Sequence, residues 1–496
     1  MKKTPEKNIE RDRTKNTEKI KDKKKRSQAK NREFAVIAYV FIFIFILLAG
    51  YYVFFLVAKS DIFINNPYNK RINSLSRFVT RGDIISADGK VLATTEAGSD
   101  GEDIRKYPYG KVFSHVVGYS ENGGLGIERD HNFELLRSHD FILTRIISDI
   151  SGGKSAGDTV FTTLDCDVQK AAYDALGDRR GAVVVMEVAT GKILAEVSKP
   201  DFDPNTIVAD YEDFVSDANS SVLLNRAVNG LYPPGSVFKI VTSLSYMRAK
   251  PGDFKDYSYE CTGTLAKGDG SYMHCYGNEV HGMLDLKSSF ARSCNTSFAS
   301  MGLSLDLKKY RSDAVKLLFN KKIKADFDIS KSSFVLNKNS NPAEVAETAI
   351  GQGETLVTPM HMCLIASAIK NKGVLMTPYI IDRVESVNGA VVRQNEPSRY
   401  KRLMTKDEAK ALRELMNETV ATGTGRKLSG HGYSAGGKTG SAEYSTGGAS
   451  HGWFAGYASK KGYEDIAIAV IVEDGNTGSA SAVPVTEAVF KAYFNE

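Results

Sequence analysis

Cysteine and histidine are scarce in this chain, five and eight among 496 residues. Five cysteines at this length exclude a disulfide-stapled scaffold, and the odd number leaves at least one thiol free or pairing between chains. Cys261 and Cys275 are the candidates for a bridge, and Cys294 reads as a small buried hydrophobe. No histidine falls in an HExxH or CxxC-linked pattern, so neither a structural nor a catalytic metal is expected, and no cofactor. Acidic charge is scarce at one end only. Residues 1–33 hold fourteen Lys and Arg against six Asp and Glu, a local excess of +8 that leaves the rest of the chain at −2. The remaining composition, 42% apolar and 25% charged, is that of an ordinary globular protein and selects no class.

Charge is wholly absent from Phe34 to Ala58, FAVIAYVFIFIFILLAGYYVFFLVA. A bilayer core requires roughly 20 apolar residues, and a cleaved signal peptide has an apolar core of only about 7 to 15. The run therefore reads as an uncleaved transmembrane anchor. A buried core helix would be shorter and would carry a polar face. Lys and Arg crowd its N-terminal side alone, which predicts a cytoplasmic tail and an extracytoplasmic remainder in a single-pass protein of the cell membrane. The basic tail is thus a membrane flank, and no nucleic-acid partner is expected.

Four segments follow: a basic tail (1–33), the anchor (34–58), a small, extended, glycine-punctuated domain (59–160), and a large domain (161–496). In the last, Arg180–Phe202 alternates apolar and polar residues around Ala189-Thr-Gly-Lys192, a hairpin signal. Near the C-terminus three strand-like runs follow one another (436–444, 451–458, 465–473), and a terminal helix spans about 483–494. Between them lie helix starts: Thr358-Pro359, and a Thr405/Glu408 capping box. The fold class expected is α+β, with a central antiparallel sheet whose first and last strands meet, covered by helices.

Three strings carry chemistry: Ser236-Val-Phe-Lys239, Ser293-Cys294-Asn295 and Lys438-Thr439-Gly440. A serine hydroxyl needs a base within hydrogen-bond reach. Residues three apart share a helix face, and a desolvated lysine loses its proton readily enough to serve. SxxK also occurs at Ser27, Ser151 and Ser398, but only Ser236, after Pro233-Pro-Gly235, stands at a helix start with its own N–H free as an oxyanion donor. Ser293 and Asn295, two apart, would face one side of an extended loop. Lys438 and Thr439 offer a cation and a hydroxyl to a carboxylate, Gly440 lets an extended substrate lie close, and the Ser441 N–H would be a second oxyanion donor. Residues 432–439 also satisfy the phosphate-loop pattern GxxxxGK[ST], yet no apolar strand precedes them and no helix follows.

The chain resembles the class B penicillin-binding proteins, membrane-anchored peptidoglycan transpeptidases. Besides the three strings, the likeness rests on RGDIISADGKVLA (81–93), GLGIERDHN (124–132), GDTVFTTLDCDVQKAAYDAL (157–176), NRAVNGLYPPGSVFK (225–239) and GKTGSAE (437–443). It implies a pedestal over 59–160, of the dimerisation type and short for the class, and a transpeptidase domain over 161–496. It implies that Ser236 attacks a D-Ala-D-Ala stem peptide, with Lys239 as base, Ser293 and Asn295 as relay and substrate holder, and Lys438 and Thr439 at the carboxylate. β-Lactams would trap Ser236, and a multispanning glycan polymerase would be the partner. A glycosyltransferase domain does not fit in the chain. Two rivals stand: a D,D-carboxypeptidase or β-lactamase-like hydrolase using the same acylation site, and a non-enzymatic receptor, for which residues 1–33 leave little signalling room.

Overall fold

The computed structural model describes residues 6–58, 76–98, 102–139, 153–218, 220–268, 270–443 and 450–496. It divides into two units, Met1–Asn69 and Lys70–Glu496. The first holds one helix, Glu6–Ala58. Its apolar part is long enough to cross a membrane by length and composition. The helix begins well before the apolar run, because the Lys, Arg, Glu and Gln of the basic segment are good helix formers.

The second unit is organised around a five-stranded antiparallel sheet. Its strands lie in the order Ser434–Glu443, Ser450–Ser459, Ile466–Val472, Gly181–Glu187, Ile193–Lys199. The first and last strand-forming regions of the domain thus meet at its centre, as the pattern predicts. Strand Ile466–Val472 reads IAIAVIV and is buried on both faces. Successive side chains point to opposite sides of a strand. Ala467, Ala469 and Ile471 accordingly join the core under helix Pro359–Lys370, while Ile466, Ile468, Val470 and Val472 join a second core under helices Cys166–Leu176 and Gly478–Phe494. Both expected caps form: Thr358 accepts from the His361 N–H, and Thr405 and Glu408 close a reciprocal box at the start of Lys406–Ala421.

The smaller domain carries a six-stranded sheet ordered Val391–Gln394, Ile381–Glu385, Thr159–Thr162, Ile84–Ile85, Val91–Ala97, Asp103–Lys106. Its first two strands arrive from far along the chain, so this sheet is completed by a hairpin from within the larger domain. The two pedestal signatures meet in one buried cluster. Glu128, 1% exposed, accepts from Arg81 and Arg105 at 2.5 and 2.7 Å. Burial alone would raise its pKa, but the Arg105 and Arg81 guanidiniums outweigh that and hold it below the usual carboxylate range.

Candidate active site

Ser236 lies on a 3₁₀ turn, Gly235–Phe238, that runs directly into the α-helix Lys239–Ala249. The sequence placed Ser236 at the start of an α-helix. The tighter turn arises because Pro233 and Pro234 offer no N–H and Gly235 takes φ +55°. Gly235 must be glycine on steric grounds as well. A Cβ there would lie 2.6 Å from the Ser441 carbonyl oxygen, and its N–H donates to the Gly351 carbonyl at 2.8 Å. The Trp453 indole N–H donates to the Pro233 carbonyl at 3.1 Å, fastening the turn to the sheet. Ser236 and Ser441, whose N–H groups are the expected oxyanion donors, therefore ride on segments in direct contact.

Lys239 is completely buried. Its ammonium donates to the Ser293 carbonyl (2.6 Å), the Ser293 hydroxyl (3.1 Å) and Asn295 Oδ1 (2.8 Å), so the first two strings converge on one nitrogen. Burial pushes the Lys239 pKa down to about 7, against a smaller opposing pull from Cys294 and Cys275. The middle string is a sharp turn between helices Leu286–Ala291 and Asn295–Leu303, where an extended loop had been expected. Ser293 takes φ +59° there, a conformation costing a non-glycine residue about 1–3 kcal/mol. Asn295 is oriented from both ends, because its Nδ2 donates to the His274 carbonyl at 3.1 Å. Cys294 caps the second helix by accepting from the Ser297 N–H, a polar task for a residue read as a plain hydrophobe.

The third string occupies strand Ser434–Glu443, which disposes of the phosphate-loop reading, since Lys438 and Thr439 sit mid-strand. Lys438 does not open to the cleft. It is wholly buried over the Phe290 ring and donates to the Thr439 carbonyl at 3.0 Å. Burial first, and the nearby Lys239 second, hold its pKa well below the ordinary lysine range. Gly440 lines the cleft and has a second task. A Cβ there would press on the Trp453 side chain and, at 3.2 Å each, on the Pro234 carbonyl oxygen and the Val237 N–H nitrogen, so its bareness seats the turn that carries Ser236. Thr439 shares a hydroxyl–hydroxyl bond with Thr424, which sequence reasoning missed although the Thr422-Gly-Thr-Gly425 run was visible.

Ser236, Ser293, Asn295, Thr439, Gly440 and Ser441 all line one open cleft of about 1040 Å³. Lys239 and Lys438 lie behind its wall. The description "Penicillin binding protein transpeptidase domain" matches residues 181–494, which contain all three strings. The chain belongs to the penicillin-binding transpeptidases. A penicillin-binding protein A dimerisation domain matches residues 81–160, which makes this a class B member with a pedestal. The peptidoglycan D,D-transpeptidase PbpA of Mycobacterium tuberculosis is 30% identical over 86% of this chain and 91% of its own length. That of Mycolicibacterium smegmatis is 29% identical over 87% and 92%. The structure of M. tuberculosis penicillin-binding protein A as a penicillin G acyl-enzyme superposes with a TM-score of 0.75 at 28% identity, covering 84% of this chain and 99% of that one. This penicillin-binding protein is accordingly a serine-type peptidoglycan D,D-transpeptidase.

One cluster beside the cleft was not foreseen. The ligand atoms of Cys261, Cys275, His281 and Cys294 lie within 4.8 Å of one another. Cys261 and Cys275 are not bridged; their sulfurs stand 3.7 Å apart. The sequence hid the grouping because the four residues come from separate short elements, with no CxxC spacing.

Proposed function

We propose that the chain's acyl-transfer chemistry runs through Ser236, with neutral Lys239 as general base. The observation that carries this assignment is the trio of hydrogen bonds from Lys239 to Ser293 and Asn295. They fix a buried amine, its pKa drawn to about 7, one turn from the hydroxyl it must deprotonate. The Ser236 oxygen attacks the carbonyl of the penultimate D-Ala, and its proton passes to Lys239. The N–H groups of Ser236 and Ser441 hold the oxyanion of the tetrahedral intermediate. Collapse breaks the peptide bond, and the departing D-Ala nitrogen takes the proton back by way of Ser293. An acceptor amine on a neighbouring stem peptide then repeats the steps in reverse, leaving a cross-link and a free Ser236.

Thr439, with Thr424 beside it, presents hydroxyls to the terminal carboxylate of the donor. Lys438 acts from behind the strand by polarising the Thr439 carbonyl to which it donates. The anchor helix carries the tail on the cytoplasmic side and residues 59–496 outside, a reading supported by the Lys and Arg on its N-terminal flank alone. A multispanning glycan polymerase in the same membrane is the partner that supplies nascent strands. The test is D-Ala release and cross-link formation from lipid-linked peptidoglycan with such a polymerase present. Wild type is expected to give both, and Ser236→Ala neither; release without cross-linking would make the chain a carboxypeptidase.

A further inference from the structure

Of the residues in NRAVNGLYPPGSVFK (225–239), the mechanism above uses only Ser236 and Lys239. Arg226 and Tyr232 take no part in it, yet both are buried and converge on one carboxylate, that of Glu473. Glu473 follows directly on strand Ile466–Val472, and its N–H donates to the Arg180 carbonyl at 2.8 Å, which pins it to the central sheet. Its Oε1 accepts from Arg226 Nε at 2.7 Å and from the Tyr232 hydroxyl at 2.8 Å, and its Oε2 accepts from Arg180 Nε at 2.8 Å. Burial acts to raise the Glu473 pKa, but the Tyr232 hydroxyl and the Arg226 and Arg180 guanidiniums outweigh it and hold the group below the usual carboxylate range. Burial first, and the Glu473 charge second, raise the Tyr232 phenol, so it stays a donor.

The surroundings leave Tyr232 one orientation. Its ring meets those of His451 and Trp453 edge-on, with centroids 5.5 and 6.2 Å away. A Cβ on Gly230 would fall 2.5 Å from the Tyr232 ring and 2.9 Å from its oxygen, so the bareness of Gly230 leaves the phenol its path to Glu473. The Tyr232 backbone exchanges hydrogen bonds of 3.0 and 2.8 Å with Val357. The chain between Tyr232 and Ser236 is stiff, because Pro233 and Pro234 have fixed φ and a residue before proline is confined to extended backbone. An orientation imposed at Tyr232 is therefore carried to Ser236 instead of being absorbed on the way.

We propose that Tyr232, held by Glu473, is a positioning residue that aims the Ser236 hydroxyl. Neither Tyr232 nor Glu473 lines the cleft, so both act through the turn. The Trp453 bond to the Pro233 carbonyl and the Gly235 bond to Gly351 fix where the turn sits; the phenol–carboxylate bond fixes its angle. A reacting atom misplaced by about 1 Å can cost about 10²-fold in rate. The inference rests on Ser236 as the nucleophile.

The test is saturation kinetics of acylation by a labelled penicillin on the full-length chain in detergent. It separates the non-covalent Kd, the first-order acylation constant and the fraction of chains that label. Tyr232→Phe keeps the ring and loses only the hydroxyl. It is expected to lower the acylation constant about 10-fold, with Kd, labelled fraction and the pH midpoint near 7 unchanged, since every Lys239 contact remains. Glu473→Gln keeps an oxygen for Tyr232 but strips the buried Arg226 of its counter-charge. It should melt lower than Tyr232→Phe and yet acylate faster. A merely structural role would make rate follow stability, so Glu473→Gln acylating as slowly as Tyr232→Phe, or more slowly, would overturn the proposal. So would a Tyr232→Phe variant with the wild-type acylation constant, or one whose loss lies only in labelled fraction or only in Kd. An adduct mapped to a residue other than Ser236 in the wild type would instead remove the reading on which the inference rests.

Discussion

Charge is buried in two places in this protein, and the surroundings treat it in opposite ways. In the pedestal, Glu128 is gripped by Arg81 and Arg105, so burial is compensated and the carboxylate stays ionised. In the catalytic domain, Lys239 and Lys438 are equally buried but face hydroxyls, carbonyls, an amide and aromatic rings, with no ion pair to either among the described residues. Desolvation then wins and drives both toward the neutral amine. The same cost of burying a charge thus yields a structural clamp where a counter-ion is supplied and, in the proposed mechanism, a base where it is withheld.

Breaking the second arrangement should have the largest effect. Lys239→Arg keeps a cation but removes the capacity to be neutral, and it should slow acylation by penicillin about 10²–10⁴-fold, read as the rate of fluorescent adduct formation. Breaking the first should act on folding. Glu128→Ala leaves two buried guanidiniums uncompensated and is expected to destabilise the second unit by about 3–5 kcal/mol in thermal or denaturant unfolding, with Ser236 chemistry intact in whatever remains folded.

The two clusters should also separate along the pH axis. Only neutral Lys239 can accept the Ser236 proton, so the acylation rate should rise with pH through about 7 and level off above it. For stability, the Lys239 pKa is lower folded than the ordinary 10.5, so the unfolded chain binds the extra proton between about 7 and 10.5. Its burial therefore destabilises progressively as pH falls from 10.5 towards 7, and a Lys239→Met variant should lack that slope in a melting-temperature profile. Glu128 has the depressed pKa of a paired carboxylate. Its contribution is full above the unfolded value near 4.5 and is lost on acidification below that. The smallest effect expected is that of Thr424→Val, which removes one hydroxyl partner of Thr439. It should slow acylation by about 5-fold, the worth of about one neutral hydrogen bond, without moving the pH midpoint.

Much of this was legible in the chain because local signals and function coincided. The apolar alternation around residues 181–199 and 434–472 gave the central sheet, and Thr358 and Thr405 capped their helices through their own side chains. The three strings could be chosen from spacing and context, and the structure gathers them round one cleft and its wall. What escaped was set by contacts between distant segments. The hairpin at 381–394 joins the pedestal sheet by pairing with Thr159–Thr162, which no periodicity within either segment reveals. Gly440 proved bare for the sake of Pro234 and Val237 rather than for an approaching substrate alone. Lys438, read as a cation offered to a carboxylate, is sealed beneath the strand, its amine over the Phe290 ring of helix Leu286–Ala291. The Cys261, Cys275, His281 and Cys294 grouping is assembled from the end of a strand, two loop positions and a helix cap, so its spacing resembles no contiguous motif.

The measurement that tests the central claim most directly is the site of the penicillin adduct. Full-length protein is acylated with a labelled penicillin at pH 8, digested, and mapped by tandem mass spectrometry, with Ser236→Ala treated in parallel. The account predicts a single modified residue, Ser236, and no adduct on the variant. An adduct on Ser293, or undiminished labelling of Ser236→Ala, would contradict it.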